Sequence, residues 1–364
     1  MNARGVALQG GLAALGLVAA FLTWQREPEG QPGEVTVLDL SKRAIQRVRY
    51  EDPTRFAEVF VNPQDEDRLW VRIGDKPKPP PPATASGMDG GVPGGATDGG
   101  TAMASSAGAA DGGTATTQPT PPTPPPPAPP RELRANQNAE TLWGRLAPVK
   151  GSRALGELDA KKLEELGLVN SPRKLTFTVD GREQVLALAA PTGGVWGTPY
   201  ALREDGKVFL LVTTILPDFE NAMSRLVDRR LHTFEEGDYE TITVSQGKNA
   251  RTFISTGKPP TPISIAPQSA PDKPDEFVRN WHDRVWRMMA MDVMGRGEEP
   301  PNGPVEEVVR VGYGKGGKEV GFLVIAKNTK GEYFARSEHS AGWVRLHSGF
   351  DTLVTEAIKI ASGS

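Results

Sequence analysis

The chain repeats itself, and the repeat constrains the fold more than any other feature. One copy reads RKLTFTVDGREQVLALAAPTGGVWGTPYALREDGKVFLLVTTILPDFENAM (173–223), the other EEVVRVGYGKGGKEVGFLVIAKNTKGEYFARSEHSAGWVRLHSGFDTLVTEAI (306–358). Each runs strand, turn, strand, then a Tyr-x-x-Arg motif, another strand and a short helix. Upstream of each lies a stretch with apolar residues at alternating positions, AIQRVRYEDPTRFAEVFV and YETITVSQGKNARTFIST, the pattern of a half-buried hairpin. Between hairpin and repeat each copy carries a tryptophan-bearing helical segment. The first is AETLWGRL, followed by DAKKLEELGL with Asp159 as N-cap and Gly167 near its end; the second is DEFVRNWHDRVWRMMAMDVMG. In the second, Phe277, Trp281, Val285, Met288 and Met289 recur at helical spacing as one apolar stripe, which reads as core. The unit is hairpin, helix, three-stranded meander, helix, and it occurs twice. The expected fold class is therefore α+β: two tandem repeated domains, 34–230 and 231–364, with antiparallel sheets and covering helices.

The second copy also contains Gly312, Gly314 and Gly317 in the order G-x-G-x-x-G after an apolar run, as in a dinucleotide-binding fingerprint. That fingerprint needs a helix starting at the last glycine, because the helix N-terminus holds the phosphates. Here the β-rich run EVGFLVIA comes next instead, and the matching position of the first copy is Asp180-Gly181, a strong two-residue hairpin signal. The expectation is a turn between antiparallel strands at 312–318, with no nucleotide; no cofactor is assigned anywhere in the chain.

Composition sets the setting of these two units. After Arg4 comes GVALQGGLAALGLVAAFLTW, an apolar stretch of about the 20 residues that a membrane-spanning helix needs, ending on Trp24 where an interfacial anchor belongs. It reads as an N-terminal transmembrane helix within 1–30; a cleaved signal ending at Val18-Ala19-Ala20 is the alternative. Arg4 and the amino terminus place the bulk of the chain outside the cytoplasm, in a bacterial periplasm. Of the 33 prolines and 41 glycines, many fall between Asp75 and Pro130, in a Pro/Gly/Ala-rich stretch that cannot bury enough surface to offset its ordering entropy. It reads as a disordered spacer inserted in the first unit, so that the strand-like segment 34–74 pairs with the chain beyond Arg131. The net charge is -3 with no basic stripe, so nucleic acid is not an expected partner. Cysteine is absent, which excludes disulfides, thiolate metal sites and cysteine nucleophiles.

Candidate chemistry is thin. The four histidines show no H-x-x-x-H or H-x-H spacing, and His339 and His347 in SEHSAGWVRLHSGF read as exposed turn residues rather than metal ligands with Glu338. No G-x-S-x-G elbow occurs. The acidic run TFEEGDYE (Glu235, Glu236, Asp238) reads as solvated charge opening a hairpin, without the apolar walls a glycosidase pair requires. Tyr200 and Arg203 recur as Tyr333 and Arg336; they are either equivalent ligand or partner contacts, with Arg taking a carboxylate or phosphate, or a repeated structural position. Trp196 and Trp343 are candidate contacts of the same kind.

Three segments carry a resemblance: LEELGLVNSPRKLTFTV (163–179), the Tyr200-Ala-Leu-Arg203 motif, and LVDRRLHTF (226–234). With the N-terminal anchor and the repeated meander, the chain resembles the periplasmic family known as domain of unknown function 4340. That family accompanies auxiliary proteins of gliding-motility-type ABC transporters. The long Pro/Gly insertion and the lack of transporter membrane helices set this chain apart from that pattern. The resemblance implies a membrane-anchored, non-catalytic accessory or scaffold protein beside an ABC-type export or motility system. It supplies no catalytic residues. An envelope polysaccharide- or peptidoglycan-binding module, using a groove between the repeats, is the alternative, and a carbohydrate hydrolase a distant one.

Overall fold

Two-residue turns fix the register of both meanders. Val179 pairs with Arg182 across Asp180-Gly181 (φ 49° and 76°), and Lys315 pairs with Lys318 across Gly316-Gly317 (φ 56° and 72°). Positive φ at both central residues gives the turn whose twist matches that of the flanking strands, and it favours glycine or Asp/Asn there. The glycines of the second copy thus close a hairpin of two eleven-residue strands, and no helix begins at them.

The computed structural model describes residues 34–77, 127–190, 198–212, 214–288, 290–347 and 349–363. Two antiparallel sheets with a few helices make up these residues. The first sheet contains β1 (Val35–Leu38), β2 (Ile45–Glu51), β3 (Arg55–Asn62), β4 (Arg68–Asp75), β5 (Arg131–Arg134), β6 (Val149–Glu157), β7 (Arg173–Val179), β8 (Arg182–Ala189), β9 (Tyr200–Leu202) and β10 (Lys207–Leu211), in the order β1-β6-β10-β9-β8-β7-β2-β3-β4-β5. The second contains β11 (Thr241–Gln246), β12 (Asn249–Thr256), β13 (Ser264–Pro267), β14 (Asp292–Val293), β15 (Val305–Lys315), β16 (Lys318–Asn328), β17 (Tyr333–Ser337) and β18 (Val344–Arg345), in the order β13-β12-β11-β15-β16-β17-β18-β14. Taken from the β14 end, the second order matches β6-β10-β9-β8-β7-β2-β3-β4 strand for strand. The duplication visible in the sequence is thus present in the strand topology, with β1 and β5 as additions to the first sheet.

The match extends to the helices. Helix α1 (Gln137–Arg145) and its counterpart α5 (Glu276–Trp286) are each capped by a side chain accepting two N–H groups, Asn136 and Asp275. Helix α2 (Ala160–Glu165) has the expected Asp159 cap, whose carboxylate accepts from the Lys162 N–H at 2.8 Å. Short helices α3 (Leu216–Glu220) and α4 (Ala222–Arg225) close the first copy, and α6 (Asp351–Ser362) the second. One contiguous core draws on both sheets, from Val48 and Phe177 to Tyr313, Tyr333 and Ala335; a smaller cluster lies under α2.

Two expectations need correcting. The meander has four strands per copy, because the Tyr-x-x-Arg motif begins a paired strand (β9, β17) instead of linking two. The stripe on α5 holds in part: Trp281 and Val285 are buried and Met288 packs against the core, but Val278 and His282 join the buried face, Phe277 is half exposed, the helix stops at Trp286, and Met289 lies outside the described residues. An apolar pattern passes over histidine because it is polar, yet a neutral imidazole packs well among aromatic rings.

The strand-like segment before the insertion lies in the first sheet, β1 pairing with β6 and β2 with β7. Ile73 of β4 faces Arg131 of β5, so the stretch 78–126 enters and leaves at one hairpin end. That stretch, with the expected spacer, and the expected anchor over 1–30 lie outside the described residues. Among the described residues no helix is long and apolar enough to cross a membrane.

Candidate functional site

The segment joining the two sheets does not wander. After α4, the Asn136 N–H donates to the Leu226 carbonyl and the Asp228 N–H to the Arg134 carbonyl, both at 2.8 Å, so residues 226–228 run antiparallel to the chain leaving β5. The seam is reinforced at the sheet edges. The Arg296 N–H donates to the Glu132 carbonyl at 2.9 Å, Arg131 pairs with Asp292 and Glu298, and the Arg296 guanidinium lies 3.9 Å over the Trp70 ring. Gly295 is required there, because a Cβ would meet the Glu132 backbone nitrogen at 2.9 Å.

Between the start of α1, this connector and the end of α5 opens a groove of about 890 Å³. It is lined by Asn136 and Asn138 at the start of α1, by Asp228 to His232 of the connector, and by Phe234, Glu236, Trp286 and Met288. Its volume lies within the range of small-molecule sites. Two histidine–carboxylate contacts organise it. His232 Nδ1 lies 3.0 Å and 3.2 Å from the two Glu338 oxygens, and the Phe322 N–H donates to the same carboxylate at 2.9 Å. Burial opposes ionisation of Glu338, but His232 and the Phe322 amide outweigh it and hold the carboxyl below its usual range. An ionised carboxylate only accepts, so Nδ1–H is the donor and Nε2 is left as the ring's free polar atom. The imidazole is clamped by rings: it stacks on Trp286 (centroids 5.0 Å, 8° between planes) and meets Phe234 and Tyr313 at 4.9 and 5.0 Å.

The second contact bridges the copies. His339 Nε2–H donates to the Asp228 carboxylate at 2.9 Å, with both side chains buried. Burial alone would raise the Asp228 pKa, but His339, Arg230 and the Arg230 backbone amide together hold it far below the usual carboxylate range. His339 is therefore not an exposed turn residue as its sequence context predicts. Its partner lies 111 residues away, beyond the reach of any local pattern. His347, by contrast, is exposed. Beneath the groove His282 is fully buried, and burial, reinforced by nearby His232, drives its pKa down to about 3, so it is neutral. Burial also raises the Glu236 pKa, with the Asp283 charge adding to it.

The residues singled out by the Tyr-x-x-Arg motif sit elsewhere, each pair with its own sheet. Tyr200 packs onto the small cluster under α2, and Arg203 spans Asp205 and the Val37 carbonyl (2.8 Å) over the Phe209 ring. Tyr333 is buried and donates to Asp351 at 2.7 Å beneath the Lys327 ammonium. Arg336 is exposed and lies 5.4 Å over the ring of Trp343. Trp343 is half-buried, and its carbonyl accepts from the Met294 N–H. Trp196 lies outside the described residues. The groove draws none of these residues into its lining. What it draws in instead are residues of LVDRRLHTF (226–234), the connector between the two copies.

Among the described residues no group of three or more His, Asp or Glu is placed to hold a metal ion. No protein-family model, curated protein or solved structure matches the chain.

Proposed function

We propose that this chain is a membrane-anchored, extracytoplasmic accessory or scaffold protein of an ABC-type transport, export or motility system. The two repeats would form one platform, held outside the membrane by the apolar segment near the N-terminus. The observation that carries the reading is the double role of residues 226–234: they bear the family likeness, and they also form the seam between the repeats and the floor of its groove. A segment with both roles ties the resemblance to the arrangement of the whole molecule and not to one strand pattern. A platform also suits a chain in which buried His339 and Asp228 are engaged with each other across the seam, where the pair rigidifies the arrangement. Crosslinking the intact anchored chain in its native membrane, with affinity capture afterwards, tests the proposal. Enrichment of ABC permease or ATPase subunits supports it, and their absence from crosslinked material refutes it.

A further inference from the structure

We infer that the groove between the repeats binds a neutral, hydroxyl-rich chain, a short oligosaccharide segment, with His232 as its central hydrogen-bonding group. The inference stands apart from the transporter association and would survive its failure.

Three observations select this ligand class. First, the groove carries an aromatic surface that the core does not consume: Trp286 and Phe234 are only half-buried although both belong to the ring cluster around Tyr313. Partly exposed aromatic surface beside polar groups suits a sugar ring, which has apolar C–H patches between its hydroxyls. Second, the ionised side chains of the lining cancel: Arg229, Arg230 and Arg287 stand against Asp228, Glu235 and Glu236. A groove built for an anion or a cation would carry an excess of one sign. An apolar ligand would strip water from all six charges without replacing it. A neutral polyol does neither, because its hydroxyls both donate and accept.

The third observation is His232 itself. Its side chain is 7% exposed, its Nδ1–H is held by Glu338, and its Nε2 makes no hydrogen bond among the described residues while the ring lines the groove. Glu338 holds Nδ1–H, so Nε2 is the ring atom left to meet whatever enters. A sugar hydroxyl, which both donates and accepts, fits it. Asn138, in the lining at the start of α1, has its side-chain N–H₂ turned to the Arg225 carbonyl at 3.2 Å, which leaves its carbonyl oxygen to accept from a second hydroxyl.

The test uses the full chain in a zwitterionic, non-glycosidic detergent, with tryptophan fluorescence and calorimetry as readouts. The probes are neutral tetramers of N-acetylglucosamine and of glucose, an anionic oligogalacturonate and a cationic glucosamine tetramer. A neutral tetramer binds with a micromolar-to-millimolar dissociation constant, and His232→Gln weakens it about tenfold, the worth of one good hydrogen bond. If His232→Gln fails to fold, the exposed rim change Asn138→Trp, which narrows the mouth without touching the core, serves instead and weakens binding by a similar factor. No binding of either neutral tetramer at millimolar concentration overturns the inference. So does tighter binding of a charged tetramer, or neutral binding that neither variant weakens.

Discussion

Breaking the Asp228–His339 contact should loosen the seam, and its cost can be worked from the geometry. The two side chains are 4% and 9% exposed, and the bond is charge-assisted at 2.9 Å, a class worth about 1.5–3 kcal/mol. The other ion pair on Asp228 is with Arg230, whose side chain is 70% exposed, so that pair contributes less than about 1 kcal/mol. Asp228→Ala removes the acceptor and leaves His339 with neither ring nitrogen bonded, since Nδ1 is already buried without a partner among the described residues. It should cost about 3 kcal/mol. His339→Ala leaves Asp228 still bonded to the Arg230 amide and guanidinium, and should cost about 2 kcal/mol. Both single changes delete the same bond, so the double variant should fall short of their sum by about 1–2 kcal/mol. Urea unfolding monitored by tryptophan fluorescence at about pH 7.5 measures all four corners of the cycle. A coupling below about 0.3 kcal/mol would mean that the two residues act independently, and the seam as described would be wrong.

Three further outcomes rest on single features. His282 is neutral in the fold with its pKa lowered to about 3 from an unfolded value near 6.5, so its contribution is fully present above about pH 6.5. It is lost at about 1.4 kcal/mol per pH unit as pH falls toward 3; His282→Gln should flatten that part of a stability–pH curve, and an unchanged slope would refute the assignment. Gly181→Ala and Gly317→Ala, at the matching left-handed positions of the two meanders, should each cost about 1 kcal/mol in urea midpoint experiments; a large cost for only one would contradict their equivalence. Removing residues 78–126 should raise the unfolding free energy by about 2 kcal/mol, because β4 and β5 are already neighbours and each halving of the connection saves about 0.6 kcal/mol; a loss of stability in denaturant titration of the shortened chain would contradict it.

How much of this is legible in the sequence depends on distance along the chain. Turn chemistry is local, so Asp180-Gly181 and the glycines at 316–317 announce their hairpins, and the internal repeat carries the reading from one meander to the other. The Asp159 cap is equally local. The features that escape depend on pairs far apart: Asp228 with His339, His232 with Glu338, and Arg296 over Trp70. A histidine on a short polar loop looks exposed until the other repeat folds over it. Tyr-x-x-Arg draws attention because it recurs, and in both copies its tyrosine begins a paired strand. The groove residues of 226–234 fall between the copies, where a repeat comparison has nothing to align.

The central proposal concerns what this platform stands beside, and one measurement addresses it. The full chain, and a form lacking residues 78–126, are crosslinked in native membranes, captured, and their partners quantified by mass spectrometry against an unrelated membrane-fraction protein. An accessory role predicts that ABC permease or ATPase subunits are enriched with the intact chain. If they stay at background while the chain itself is recovered from the membrane fraction, that role is contradicted.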